Sequence, residues 1–407
     1  MAITCGIDWA ESHHDVALMD DRGSIVARAR IATGLSGFGE LMSLLAEHCD
    51  DPRQVPVAIE TDKSLIVVAL QAAGLVVHAI NPRAVARYRE RHGQSGKKSD
   101  PGDAALLADV LRTDLHQHRP LPQVSEGGRA VKALARQHQE AIWAVHQTTS
   151  RLRSVLLEFY PQALQAFPNL KHKAALSILA AASTPELGTK MTARRVVALL
   201  HRCGRRNDES LVEQILADLR TPAIRQPAAV EAALGLAVAG LIGIITAMHA
   251  SIAQLEDAMA AEFDRHPKSG VLRSAPGLGP VLGARILAEV GDDPNRFATA
   301  DGLRAFAGTA PVTRASGRSR HVAARRVRNK RLADACHWWA FATLTKSPGA
   351  REFYDRRRAA GDHHNAALRN LANKLLGRLW WCLQHDQEWD DEAAWPARET
   401  APAALAA

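Results

Sequence analysis

Four carboxylates stand where short apolar runs end or a helix begins. Asp8 closes Gly6-Ile7-Asp8, Glu60 closes Val57-Ala58-Ile59-Glu60, and Asp100 and Asp103 open Ser99-Asp100-Pro101-Gly102-Asp103-Ala104. Carboxylates brought together repel one another unless a cation neutralises them. Mg²⁺ takes hard oxygen ligands, and a pair of such ions about 4 Å apart cuts and joins phosphodiesters. Mn²⁺ is the natural substitute. A second segment has the opposite character: Arg314 to Arg331 holds eight Arg or Lys residues (Arg314, Arg318, Arg320, Arg325, Arg326, Arg328, Lys330, Arg331), one His and no acid. Charge of that density repels itself unless it meets phosphates. Ser316 stands within it, before Gly317, where guanidinium groups would stabilise an alkoxide and a phosphoryl transition state.

Each feature also has a plainer reading. Asp100-x-x-Asp103 resembles a helix capping box, with Asp100 as N-cap and Pro101 at the first helical position. Glu60 alone reads as a solvated strand end. The basic run also reads as a solvated loop, Ser316 reads as a turn residue bonded to its own backbone, and Ser319 is its equal as a nucleophile. Lys97 and Lys98 fit a phosphate contact or a charged loop equally. It is the set of four acids, in this order on these elements, that points to a metal site.

The elements must place those acids. Ile3–Asp8, His14–Met19 and Ser24–Arg30 read as strands, with a turn at Asp20-Asp21-Arg22-Gly23. Gly37–His48 has helical spacing, Val55–Ile59 is a buried strand, and a helix near Leu65–Ala73, a strand at Val76–Ile80 and a helix near Arg83–Arg91 follow. A three-strand meander followed by alternating helices and strands is the order of a ribonuclease-H-like α/β domain. Asp114 to Gly128 reads as a linker; His116 and His118 within it read as solvated polar groups. From Arg129 the pattern is helical for some thirty residues until Pro161, which suits a coiled-coil or bundle arm. Shorter helices are predicted over 162–224 and another long one over 228–264. Pro276-Gly277-Leu278-Gly279-Pro280 leads into a helix, Val281–Val290, as in helix-hairpin-helix DNA binders or a plain turn. Helices near 330–345 and 364–385 carry Trp338-Trp339 and Trp380-Trp381, which could stack on unpaired bases but read mostly as core. His13-His14 and His363-His364 read as polar surface or as groups that support metal ligands from behind.

The 407 residues suffice for two or three domains, and the net charge of +8 favours a polyanionic partner. Five scattered cysteines without a C-x-x-C pair suggest a reducing cytoplasm. No signal peptide is suggested. Ala232 to Met248 is uncharged, with Gly235, Ala239 and Gly243 four apart; it reads as a buried or dimer-forming helix rather than a membrane span.

With these residues in view, the chain resembles the insertion-sequence-110 family of transposases over nearly its whole length. The resemblance rests on G-I-D-W-A, H-H-D-V-A-L-M-D-D-R-G, V-A-I-E-T and G-K-K-S-D-P-G-D-A-A-L-L-A-D in the first part. In the last part it rests on A-P-G-L-G-P-V-L-G-A-R-I-L-A-E-V-G-D, F-A-G-T-A-P-V-T-R-A-S-G-R-S-R and R-N-K-R-L-A-D-A. It implies a RuvC-like domain over 1–115 whose Asp8, Glu60, Asp100 and Asp103 bind Mg²⁺. It further implies a helical coiled-coil region over 129–265 that builds a dimer or tetramer, and a mainly helical transposase domain over 270–390 with Ser316 essential, followed by a tail over 391–407. Members act on donor and target DNA under the guidance of a structured RNA from their own element, with no membrane partner. The implied setting is the bacterial cytoplasm, at the nucleoid. The rival readings are a metal-only RuvC-like nuclease or Holliday-junction resolvase, and a non-catalytic nucleic-acid scaffold.

Overall fold

The computed structural model describes residues 2–92, 99–205 and 208–396. Lys97, Lys98 and the expected tail over Thr400–Ala407 lie outside them. The chain forms two compact units, Met1–Gln123 and Val124–Ala407.

The first unit contains β1 (Ile3–Trp9), β2 (His13–Asp20), β3 (Ile25–Ala32), α1 (Leu35–His48), β4 (Val57–Ile59), α2 (Leu65–Ala72), β5 (Val77–Ala79), α3 (Pro82–His92) and α4 (Asp100–Asp114). The sheet order is β3-β2-β1-β4-β5; β1, β2 and β3 are antiparallel, while β1, β4 and β5 are parallel. Strand alternation sorts the faces. Ile3, Cys5, Ile7, Val16, Leu18, Val57 and Ile59 join Leu41 and Leu45 of α1 and Ile66 and Leu70 of α2 in one core. The opposite face of β1 and β4 carries the small Gly6 and Ala58, and Ala58 packs with Leu107, Val110 and Leu111 of α4. A Cβ on Gly6 would stand 2.0 Å from the Ala104 carbonyl oxygen and 2.4 Å from the Ala108 nitrogen. Glycine is therefore what lets α4 lie against β1, and Thr4 Oγ1 donates to the Ala108 carbonyl at 3.0 Å to hold it there.

The second unit is almost all helical: α5 (Glu126–Phe159), five short helices α6 (Pro161–Ala166), α7 (Lys173–Ala181), α8 (Pro185–Thr189), α9 (Ala193–Arg202) and α10 (Glu209–Leu219), then α11 (Ala228–Arg265), α12 (Ser269–Ser274), α13 (Pro280–Val290) and α14 (Ala300–Ala307). A hairpin of β6 (Val312–Ser316) and β7 (Ser319–Ala323) precedes α15 (Lys330–Thr343), α16 (Pro348–Ala359), α17 (His364–His385) and α18 (Asp391–Ala394). The start of α5 shares a core with the end of α11, through Val131, Ala135, Met259 and Phe263. The end of α5 shares another with the start of α11, through Val145, Leu152, Leu156, Val238, Ile242 and Ile245. The two long helices therefore run antiparallel within one chain.

The glycine stripe on α11 divides. Gly235 is buried, and a Cβ there would stand 2.4 Å from Thr184 Cγ2, whereas Gly243 has open space and Leu236 and Ile244 are exposed. That helix is long and apolar enough to cross a membrane by composition alone. Residues 391–396, read as part of a tail, are structured instead: Trp395 covers Gly349 and tilts against Phe353.

One buried ion pair ties α13 to α5 and to the start of α15. Glu289 of α13 accepts from Arg136 of α5 at 2.8 and 3.0 Å and from Asn329 Nδ2 at 2.7 Å. Asn329 also caps α15, accepting from the Leu332 N–H at 3.0 Å. Burial pulls the Glu289 carboxyl upward, but Arg136 and Asn329 outweigh it and hold it below the usual carboxylate range. A depressed folded pKa gives stability that is present above the ordinary carboxylate value and lost as pH falls through the depressed one. Glu289→Gln leaves Arg136 without its counter-charge and is expected to cost about 3 kcal/mol at pH 7. Urea denaturation should show this gap closing toward acid pH; an equal gap at pH 7 and pH 3 would contradict it.

Candidate active site

The register of the sheet lines up charged groups at one level. Asp8 pairs with Asp15 across β1 and β2, and Asp15 pairs with Arg30 across β2 and β3. Ile7 pairs with Ile59, so Asp8 and Glu60 stand level one residue further on. Asp8 follows Gly6 and Thr4 on the face covered by α4, and the first turn of α4 carries Asp100 and Asp103. All four expected acids are thus brought to one rim.

The caps differ from the sequence reading. Ser99, not Asp100, is the N-cap of α4, and its side chain makes no capping bond. Asp100 is the first helical residue and Pro101 the second, which excludes the capping-box role for Asp100. Its carboxylate lies 3.9 Å from Arg30 instead. Asp103 is 4% exposed and accepts from Arg89 of α3 at 2.5 Å.

The electrostatics report the crowding. Burial, followed by the charges of Asp103, Glu60, Asp100 and Asp15, pushes the Asp8 carboxyl up to about 6. Among the described residues no basic side chain bonds Asp8. A half-exposed carboxylate so placed among others is what a divalent cation relieves, and its neighbours offer the hard oxygens that Mg²⁺ takes. The chemistry of these donors suits a divalent metal; among the described residues, the ligand atoms that come within 4.8 Å of one another are those of His13, Asp15 and Asp100.

Three residues here stand outside the expected quartet. Asp15, 5% exposed, receives Arg30 at 3.1 and 2.9 Å. His13, read as polar surface or as a support for metal ligands, has ligand atoms that lie with those of Asp15 and Asp100 within 4.8 Å of one another. Arg89 braces Asp103. The hairpin register of β1 and β2 was the signal for Asp15; nothing local marks Arg89.

The basic segment is a hairpin rather than a loop. Ser316 pairs with Ser319 across a two-residue turn in which Gly317 takes φ 55°. Glycine at the first central position suits the tight turns of hairpins. Alternation puts Ser316, Ser319, Arg314 and His321 on one face, with Arg320 on the other and Arg318 in the turn. Sequence reading missed His321, although its spacing from the turn marks its face. Arg314, Arg318, Arg320, Arg326, Arg328 and Lys330 are exposed, and Arg325 is half-buried. Arg331 differs: it pairs with Glu140 and lies 5.5 Å from the Trp143 ring centroid, so it serves packing. Between α12 and α13, Gly277 takes φ 82° against the Thr343 backbone, which gives that turn a packing role. Trp339 is fully buried and Trp380 partly so, while Trp338 is exposed.

Comparison with known proteins agrees with the motif resemblance. Residues 5–161 match a DEDD-type transposase model of IS110 elements, and residues 269–355 match the transposase model of the IS116/IS110/IS902 family. A Streptomyces coelicolor protein of the IS117 mini-circle is 48% identical over 400 residues, 97% of each chain. The uncharacterised 43.6 kDa protein of insertion element IS110 from the same organism is 33% identical over 70% of this chain and 71% of its own. That of IS900 from Mycobacterium paratuberculosis, 42 kDa, is 28% identical over 98% and 99%. A Thermus-type RuvC solved with a Holliday junction substrate ("T. thermophilus RuvC") aligns over 30% of this chain and all of its own, at 16% identity; its TM-score of 0.23 is too low to carry the fold.

Proposed function

The chain belongs to the IS116/IS110/IS902 family of transposases and is a DNA transposase, and from that premise we propose that it moves its own insertion sequence by a serine-linked, metal-assisted strand exchange. The observation that carries this reading is the level row of Asp8 and Glu60 beneath Asp100 and Asp103, with Asp8 pushed up to about 6 by burial and its acidic neighbours.

Asp8, Glu60, Asp100 and Asp103 would hold Mg²⁺. The bound ion would supply Lewis-acid stabilisation of the oxygens at a phosphodiester. Arg30 and Arg89 hold Asp15 and Asp103 in place on either side. At the hairpin, Ser316 Oγ attacks a DNA phosphorus. An Oγ–P bond forms as a P–O bond to the sugar breaks, and the serine proton ends on the departing sugar oxygen. Arg314 and Arg318 steady the added negative charge. One phosphodiester replaces another, so attack by a new sugar hydroxyl reverses the step and rejoins the strands without an outside energy source. Choice of donor and target would rest on base pairing with a guide RNA of the element, not on these side chains. The working form would be a homo-oligomer in the bacterial cytoplasm.

Trapping a covalent protein–DNA adduct tests the proposal. Wild type and Ser319→Ala are expected to form it, and Ser316→Ala to lose it along with at least 1000-fold of strand exchange, the scale of loss of a covalent nucleophile. Cleavage by Ser316→Ala at the wild-type rate would favour a metal-only nuclease or resolvase instead.

A further inference from the structure

Resting on the nucleic-acid reading above, we infer that a cavity in the second unit, at the start of α15, takes one unpaired nucleotide of a nucleic-acid strand. The cavity is about 460 Å³ and lies against α5, α14, α15 and α17. That is within the range of pockets that hold one small molecule, and a nucleotide unit is of that size.

Its lining divides by chemistry. Arg328, Lys330 and Arg369 bring three positive charges to one space. None of them makes a salt bridge with another described residue. Asp334, an acid at the wall, is already bound to Arg285 at 2.5 Å. The cations Arg328, Lys330 and Arg369 still outnumber this one paired carboxylate, which leaves the space favourable to an anion such as a phosphate. Trp143 of α5 supplies an aromatic wall, steadied by the Arg331 guanidinium 5.5 Å from its ring centroid. Asn365 lines the cavity with a side-chain amide that hydrogen-bonds no described residue. An amide offers both a donor and an acceptor to a base edge.

The surface beside the cavity continues the pattern. His337 lines it, and its ring lies 5.5 Å from that of Trp338. Trp338 is 48% exposed and Phe341 49%, their rings 6.2 Å apart at 87°. Large aromatic groups left in water on a basic protein form a stacking platform, since every base has a π-face. A duplex presents no free base to such a platform. Phosphate-binding cations, an aromatic wall, an unpartnered amide and an outer aromatic pair together select a strand with at least one base unstacked.

Fluorescence anisotropy with the full chain tests this, using a short unbroken duplex, the same duplex with a one-nucleotide bulge, and its single strand, each as DNA and as RNA. Wild type is expected to prefer the bulged or single-stranded probe about tenfold in at least one series, the scale of one stacked base; the series that shows it identifies the strand. Trp143→Ala, and independently the exposed Asn365→Ala, should each reduce that preference to under twofold with duplex affinity unchanged. Absence of a preference in wild type, or its survival in Asn365→Ala and Trp143→Ala alike, overturns the inference. Neither result touches the serine-linked strand-exchange reading, which stands or falls on the Ser316 adduct.

Discussion

Gly6→Ala is expected to lower DNA cleavage about 100-fold, although residue 6 bears no reactive group. The added Cβ would meet backbone, 2.0 Å from the Ala104 oxygen and 2.4 Å from the Ala108 nitrogen. Backbone cannot swing aside as a flexible side chain can, so α4 must shift by about 1 Å, and a displacement of that size at a catalytic group costs about two orders of magnitude in rate. The shift falls on the helix whose first turn carries Asp100 and Asp103. Overpacking should also lower the stability of the first unit by about 2 kcal/mol. Gly39→Ala is the control: it lies on α1, nothing stands within 4 Å of its Cβ, and it should be neutral or slightly stabilising. DNA binding, proposed above to run through the basic hairpin, should survive in both. A Gly6→Ala protein with wild-type melting temperature and cleavage would contradict the placement of α4.

Asp8→Asn is expected to stabilise the metal-free protein while abolishing catalysis. The Asp8 carboxyl is pushed up to about 6, first by burial and then by Asp103, Glu60, Asp100 and Asp15. The folded form therefore binds a proton more tightly than the unfolded chain, and stability falls as pH rises between about 4 and 6. Above that window the charge is a standing cost. Asparagine removes it, which should raise stability at pH 7.5 by about 1 kcal/mol once solvent screening of this half-exposed group is allowed for. Millimolar Mg²⁺ or Mn²⁺ should raise the melting temperature of wild type by several degrees and leave Asp8→Asn unmoved. A loss of stability in Asp8→Asn without metal, or an undiminished metal response, would mean that the acids do not crowd as described.

The two sites differ in how much of each is legible in the sequence. Asp8 and Glu60 were legible because each follows an apolar run whose strand character is local, and central parallel strands end at a common rim. Asp15 was hidden because its meaning lies in register: only pairing of β1 with β2 sets it opposite Asp8. Arg89 was hidden because α3 meets α4 through tertiary packing alone. The basic run was legible as charge, but charge does not tell loop from hairpin. Alternation about Gly317 then separates Arg314 and His321, which share the face of Ser316, from Arg320, which does not.

Chain chemistry alone settles the kinds of group on offer: acids at strand ends, a serine amid arginines, long apolar helices, and motifs that place the family. Those are properties of neighbouring residues, and short-range sterics and solvation act on them directly. Which acids meet, which arginine is consumed by Glu140 and Trp143, and that Asp100 starts α4 rather than capping it, depend on contacts between residues far apart in the chain. Close packing decides these, since one missing methyl at Gly6 determines how near two backbones can come.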